Sequence, residues 1–257
     1  MYLSNLNPHE RDSHISFEEG PHIYTIDGSS DFMSVTTWNH SHFGHFDADK
    51  IIDKMMGRNW GPGNKYWGMS KKEIKKMWQD NGTRASVAGT KMHCDIELYY
   101  NDAEVEVEDC AEWSYFEKFE EEVGQYKEPY RTEWMVWDAG LKFAGSIDMV
   151  YKNGDGTLDI YDWKRSKGIK MTNKWQSSTT PCIQHLPDCN YYHYCLQLNT
   201  YKALLEKNYG ATIKDMYLVC LHPINDGYQL IKVLDLQKEV KALFDLRRKM
   251  LRKELKK

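Results

Sequence analysis

LKFAGSIDMVYKNGDGTLDIYDWKRS, residues Leu141 to Ser166, describes a β-hairpin that carries two aspartates and a lysine to one place. Its turn is Asn153-Gly154-Asp155-Gly156, and Asn-Gly and Asp-Gly pairs supply the positive φ angles that tight hairpin turns require. Folding about that turn pairs residues whose numbers sum to about 310, which sets Asp148 opposite Asp162. Opposed residues share a face and side chains alternate with period two, so Lys164 joins Asp162 on the face of Ile160 and Leu158. Two carboxylates with Cβ atoms about 5 Å apart repel unless positive charge lies between them. A divalent cation answers that repulsion, and a lysine beside it suggests a hydrolytic centre.

Composition narrows the class. A chain of 257 residues holds one large domain, or a core with a lobe. It is 41% hydrophobic and 28% charged, which places it among soluble globular proteins. No apolar run reaches the roughly 18 residues of a membrane span, and the N-terminus lacks a signal-peptide core. We therefore expect an intracellular, soluble protein of cytoplasm, nucleus or nucleoid, with no membrane partner. The six cysteines form no CxxC pair, which fits reduced thiols. Cys182, Cys189 and Cys195 raise an iron–sulfur or zinc site, but no fourth ligand with familiar spacing accompanies them. The net charge of −4 does not advertise a polyanion partner. A bound metal and local Lys and Arg would have to supply the field for a phosphate.

Outward from the hairpin, strands are expected at Arg131–Asp138, Leu141–Tyr151, Thr157–Lys164 and Asp215–Leu221, with a further one in YQLIKVLDL. A helix is expected near Asn190–Lys207 and a basic amphipathic one over Gln237–Lys257. Two helices split by an acidic turn near Asn101–Asp109 fill residues 83–127. Before them, HIYTIDG and FMSVTTW read as strands around an Asp27-Gly28 turn. Helical pieces follow at Ala48–Met56 and Lys71–Gln79, the latter opened by a Ser70/Glu73 capping box. Gly57–Gly68 between them is a loop.

Two helical motifs flank the sheet. In GTKMHCDIE, His93 and Glu97 lie four apart on one face. Alone, they describe a partly exposed histidine beside a carboxylate. In QLNTY, Gln197 and Tyr201 repeat that spacing, and alone they describe an amphipathic helix with a buried, hydrogen-bonded tyrosine.

Taken in order, GTxxHxxxE, Glu133 on a strand, GSID ending at Asp148, DWK from Asp162 to Lys164, and QxxxY from Gln197 to Tyr201 resemble the RecB-like, lambda-exonuclease-like branch of the PD-(D/E)xK nuclease superfamily. The resemblance covers about residues 85–225. SVTTW…FGHFDADKIIDKMM is also similar to proteins of large DNA viruses and phages. The resemblance implies an α/β (α+β) fold: a restriction-endonuclease-like core, its central mixed β-sheet flanked by helices, with an N-terminal, mainly helical lobe. Residues 1–82 would form that lobe, a substrate arch or lid; 83–235 the nuclease core; 236–257 the basic helix.

The resemblance also implies roles. His93, Asp148, Asp162 and the carbonyl of Trp163 would hold one or two Mg²⁺ or Mn²⁺ ions. Asp148, Asp162 and Lys164 would be catalytic, the lysine acting on the attacking water. Gln197, Tyr201 and Ser166 would support the site or touch substrate, while Glu97 and Glu133 would ligate a second metal, orient His93 or play a structural part. Activity would be exonucleolytic on DNA ends or single strands, in replication, recombination or repair, leaving 5′-phosphates. Alternatives are a structure-specific DNA endonuclease, an RNA endonuclease, or a nucleic-acid-binding assembly subunit without turnover. The long polar segment Arg165–Asn190 is placed to touch a strand or is a solvated loop. Trp60, Trp67 and Trp78 stack on bases or pack internally. Arg247, Arg248, Lys249, Arg252, Lys253, Lys256 and Lys257 track phosphates, dock a partner or simply face solvent.

Overall fold

Asn153 and Thr157 close the hairpin, their backbones joined by a 2.8 Å hydrogen bond, with Gly156 at φ +82° and the Asp155 carboxylate accepting from the Thr157 amide. The computed structural model that shows this describes residues 1–57, 60–106 and 109–256. Arg58 and Asn59 of the expected loop, Val107 and Glu108 of the acidic turn, and Lys257 lie outside the described residues. In chain order the elements are α1 (Tyr2–Leu6), β1 (Ile15–Glu18), β2 (Ile23–Ile26), β3 (Met33–Ser34), α2 (Val35–His40), α3 (Ala48–Met55), α4 (Lys71–Tyr100) and α5 (Ala111–Glu122). They continue with β4 (Glu128–Asp138), β5 (Phe143–Lys152), β6 (Leu158–Lys164), α6 (Asn190–Asn208), β7 (Ile213–Cys220), β8 (Gln229–Lys232) and α7 (Gln237–Glu254).

Six strands make one mixed sheet, and β1–β2 form a separate hairpin. The β5–β6 ladder runs from Lys152↔Leu158 to Met149↔Tyr161, the register in which residue numbers sum to 310. Beyond that point β6 leaves β5 and continues beside β7, parallel, with Asp162↔Leu218 and Lys164↔Cys220. β4 covers β5 along its whole length, while β3 adds a two-residue parallel bridge at Phe143 and Ala144. Residues 145–148 of β5 therefore sit in a fork, between the end of β3 and the start of the β6 ladder.

Helices cover both faces, as the fold class anticipated. On one, α4 and α5 bury Met92, Ile96, Tyr100, Phe116 and Phe119 against Met149, Tyr151, Tyr161 and Trp163. Trp163 is locked edge-on by Phe116 and Phe119, with ring centroids 5.8 and 5.4 Å away. Burying an aromatic of this size stabilises by roughly 1.5–3 kcal/mol, and it holds β6 with Asp162 and Lys164 turned to the other face. There α6 and α7 pack on Val150, Leu158, Ile160 and Leu218. No helix among the described residues is long and apolar enough to cross a membrane.

Three expectations shift. First, FMSVTTW is mostly helical: Ser34 caps α2 by accepting from the Thr37 amide, and capping outweighs the β preference of Val-Thr-Thr. Second, the helices expected on either side of residue 82 are one. Gly82 and Gly89 each cost about 1 kcal/mol relative to Ala, but α4 is anchored at both ends. Its start carries the Ser70/Glu73 capping box and the buried Ile74 beside α3; its end lies in the core, where Asn101 bonds Leu3, Glu97 and Thr132. Residues 79–87 between the anchors are exposed all round, as in a helix bridging two bodies. Residues 1–43, grouped with the lobe in the sequence reading, contribute Leu3, Tyr24, Val35, Trp38 and Phe43 to the sheet's own core. Third, Arg247 does not face solvent. It is buried on Trp38 and Phe143 and donates to the Leu141 carbonyl at 3.0 Å.

Gly145 in the fork is required by space: a Cβ there would lie 2.8 Å from the buried Tyr201 ring. Gly145→Ala is expected to destabilise by about 1–3 kcal/mol through overpacking, read as a lowered Tm, whereas Gly154→Ala in the open turn removes no space. An unchanged Tm for Gly145→Ala would contradict the close approach of α6.

Candidate active site

Side chains from four elements meet at the fork. β5 supplies Asp148, β6 supplies Asp162 and Lys164, β4 supplies Glu133 and α4 supplies His93. Where the ladder has opened, the Trp163 amide donates to Asp148 Oδ2 at 2.9 Å, so the carboxylate replaces the missing strand partner. His93 Nδ1 stands 3.5 Å from Asp148 Oδ2 and 3.6 Å from Glu133 Oε1. Ligand atoms of His93, Glu133 and Asp148 all lie within 4.8 Å of one another. Lys164 is paired with Asp162 and lies 4.9 Å from the Tyr194 ring centre.

Glu133 reaches the cluster through an unusual backbone. Its φ is +40°, a left-handed conformation that non-glycine residues adopt at some energetic cost, and mostly where function demands it. The β4–β5 register passes from Thr132↔Met149 to Trp134↔Ile147 around it. Ile147 and Trp134 pack with α6, whereas Met149 packs with α4 and α5. Side-chain alternation thus changes phase at the Glu133/Asp148 position, which brings both carboxylates to the same point. Ser146 Oγ donates to Glu133 at 2.7 Å and fixes it.

The electrostatics show a site short of positive charge. Burial, then the charge of Asp162, pushes the Asp148 carboxyl up to about 7, against His93 and Lys164, which oppose the rise. Burial would lower His93, but Asp148 and Glu133 overcome it and carry the imidazole up to about 9. Burial likewise opposes the charge of Lys164, yet Asp162 and Asp148 hold its pKa above the ordinary lysine range. Burial would raise Glu133, but the imidazole of His93 beside it and the hydrogen bond from Ser146 outweigh that and hold it below its ordinary value. The rise of the Asp148 carboxyl for want of a cation, and one imidazole grouped with carboxylate oxygens, fit a divalent metal ion.

Of the ligands expected from sequence, His93 and Asp148 are in the three-residue cluster and Glu133 is its third member. Asp162 lies beside it, engaged by Lys164, and Trp163 contributes its amide to Asp148. Tyr201 is buried against Gly145, and Gln197 donates to Thr36 Oγ1 at 3.1 Å. Glu97 sits one turn from His93, its pKa raised by burial and by the charge of Glu133. Ser166 closes a local turn with Gly168. Tyr24 from β2 was missed: burial, then Glu133 and Asp148, push its phenol up to about 12. No local sequence signal marks it, since the β1–β2 hairpin reaches the fork only through tertiary packing.

The family described as the PD-(D/E)XK nuclease superfamily matches residues 64–256. No curated protein matches. A solved structure titled "Crystal structure of SSO0001" is similar at 14% identity, covering 87% of this chain and 77% of that one, with a TM-score of 0.34.

Proton linkage gives a test without turnover. Asp148 and His93 both titrate higher when folded, at about 7 and about 9, than their ordinary values of 3.8 and 6.5. Over that window the folded chain holds protons that the unfolded chain has released, so stability falls as pH rises. Glu133 runs the other way, but its contribution is complete above its ordinary 4.5. Burial lowers His40, His42, His193 and His222, so these also run the other way until pH passes their ordinary 6.5. In chelator, Tm is expected to decline between about pH 7 and pH 9 through His93, and below about pH 7 the Asp148 contribution is read as the difference between wild type and Asp148→Asn, which should shrink as pH rises. Mn²⁺ or Mg²⁺ should stabilise more at higher pH, because the ligands must be deprotonated. A wild-type Tm that climbs between about pH 7 and pH 9 in chelator would refute the His93 shift, and a difference from Asp148→Asn that stays constant below about pH 7 would refute that of Asp148.

Proposed function

Since this chain belongs to the PD-(D/E)XK nuclease superfamily, we propose that it is a metal-dependent exonuclease of the RecB-like branch. Its substrate is DNA, at ends or in single strands, and its product carries a 5′-phosphate. The observation that carries this reading is the fork, where three carboxylates, an imidazole and an ammonium converge at the point where β5 and β6 part. His93, Glu133 and Asp148 would hold a divalent cation, with Asp162 adjoining. When bound, that ion supplies Lewis-acid polarisation of a phosphoryl oxygen and a more acidic water.

The protein's own groups do the rest. Lys164 keeps its proton between Asp162 and Asp148, so it acts as a fixed cation toward the attacking water and the phosphate oxygens rather than as a base. The Trp163 amide holds Asp148 in one orientation. Gln197, tied to Thr36, and Tyr201, wedged on Gly145, set the wall formed by α6. Glu133, fixed by Ser146, holds the His93 ring in place. Part of the segment after Lys164 stays open to solvent, with Trp175 92% exposed among Lys167, Lys170 and Lys174. An aromatic flanked by lysines suits unpaired bases on a charged backbone.

Incubation with end-labelled linear, closed circular and single-stranded DNA, and with RNA, in Mg²⁺ or Mn²⁺ tests the reading. Cleavage confined to DNA with ends is expected. Cutting of circles or of RNA would replace it with an endonuclease, and binding without cutting would replace it with an assembly subunit. Asp148→Asn, Asp162→Asn and Lys164→Ala should each lower kcat by about 100-fold or more, the scale of losing one preorganised electrostatic contact. Wild-type turnover in any of the three overturns the assignment of that residue.

A further inference from the structure

On α6, His193, Tyr194, Gln197 and Tyr201 recur at spacings of one, three and four residues and so share one broad stripe. On α2, Thr36 and His40 are four apart and face that stripe. The two helices meet through matched pairs: Gln197 donates to Thr36 at 3.1 Å, and the His193 and His40 rings lie 5.6 Å apart. The row begins at Tyr201 on the fork and passes Tyr194, whose ring lies over the Lys164 ammonium at 4.9 Å. It ends at an exposed His40.

The chemistry along this row is lopsided. His193 is oriented by Asp188, Nε2 to Oδ1 at 2.9 Å, and its ring stacks 4.0 Å from Phe43. The other oxygen of Asp188 accepts from the Gly44 amide at 3.3 Å, so that carboxylate is occupied on both sides. His40 and Tyr194 differ: neither the His40 ring nitrogens nor the Tyr194 hydroxyl has a protein hydrogen-bond partner among the described residues. Lys164 lies close enough for its charge to be felt at His40, whose pKa is lowered first by the packing around it and then by that ammonium. Spare donors beside a fixed ammonium, with Asp188 held by His193 and Gly44 and Asp162 by Lys164, make a place that can accept an anion.

We propose that His40, held against His193, and Tyr194, the next residue of α6, form a phosphate-binding subsite that takes the phosphodiester group neighbouring the one cleaved at Lys164. The proposal rests on the nuclease reading above. It makes His40 a substrate-contacting residue and α2 the part of the N-terminal region that grips the strand. His193 and Asp188 are positioning residues, since they act through the His40 ring. The backbone would run from the fork along the α2–α6 seam.

The experiment measures binding of a fluorescently labelled single-stranded deoxyoligonucleotide in chelator, where no cleavage intrudes, with parallel turnover in Mn²⁺. His40→Ala should weaken binding about five- to tenfold, the effect of losing a hydrogen bond to a charged group, and should raise KM more than it lowers kcat. His40→Gln, which keeps a donor, should recover most of the loss. In a set of oligonucleotides each carrying one neutral methylphosphonate, one position should weaken wild-type binding while leaving His40→Ala binding no weaker. That non-additivity would locate the contact. If His40→Ala does not fold, the same cycle is run with His40→Leu, which fills the space without a donor, against wild type. Wild-type affinity in the folded variant, or losses that add at every position, would overturn the subsite while leaving the nuclease reading intact. A wild-type protein that neither binds nor cuts any nucleic acid would instead remove the nuclease reading itself.

Discussion

The hydrogen bond from the Trp163 amide to Asp148 Oδ2 is the contact on which the site depends. A sheet whose strands part must satisfy the backbone groups left behind, because a buried, unpaired amide costs about as much as a lost hydrogen bond. Here a side chain meets that need, and it is one of the carboxylates the chemistry uses. The opening of the sheet and the placement of Asp148 are thus one event. The aromatic cluster holds β6 from behind and β7 holds its far edge, so β6 departs from β5 along a fixed direction.

Charge balance constrains the rest. Asp148, Asp162 and Glu133 are gathered where burial penalises ionised groups, and His93 and Lys164 offset them only in part, since Asp148 still titrates near 7. The positive φ of Glu133 and the change of phase on β4 and β5 move stability away from regular pairing and into the geometry of the cluster. Such strain persists only where surrounding structure over-determines it. Here that structure is Ser146 on one side and the anchored end of α4 on the other.

α4 links two scales. Its C-terminal half carries His93 to the fork and buries Met92 and Ile96 behind the sheet; its N-terminal half, past an exposed span, carries the small lobe built with α3. One continuous helix thus connects that lobe to the turn that carries the imidazole. The α2–α6 seam is the other wall, tied to the fork by Tyr201 on Gly145 and by Gln197 on Thr36.

Much of this was legible without coordinates because it is local. The Asn-Gly-Asp-Gly turn and period-two alternation set the hairpin register through backbone geometry alone, and the observed ladder keeps it as far as Met149↔Tyr161, one pair short of the expected Asp148 and Asp162. The Ser70/Glu73 capping box likewise announces its helix start. The sequence by itself therefore determined the hairpin, its register up to Met149 and Tyr161, the helices on either side and the fold class. Tertiary structure decided what depends on partners distant in the chain. It made α4 continuous through its glycines, brought Glu133 rather than Asp162 into the cluster with His93 and Asp148, buried Arg247, and carried Tyr24 close to Glu133 and Asp148. The physical reason is that register and capping are settled by neighbours within a few residues. A carboxylate's orientation, a helix's persistence and a charge's burial are settled by whatever packs against them.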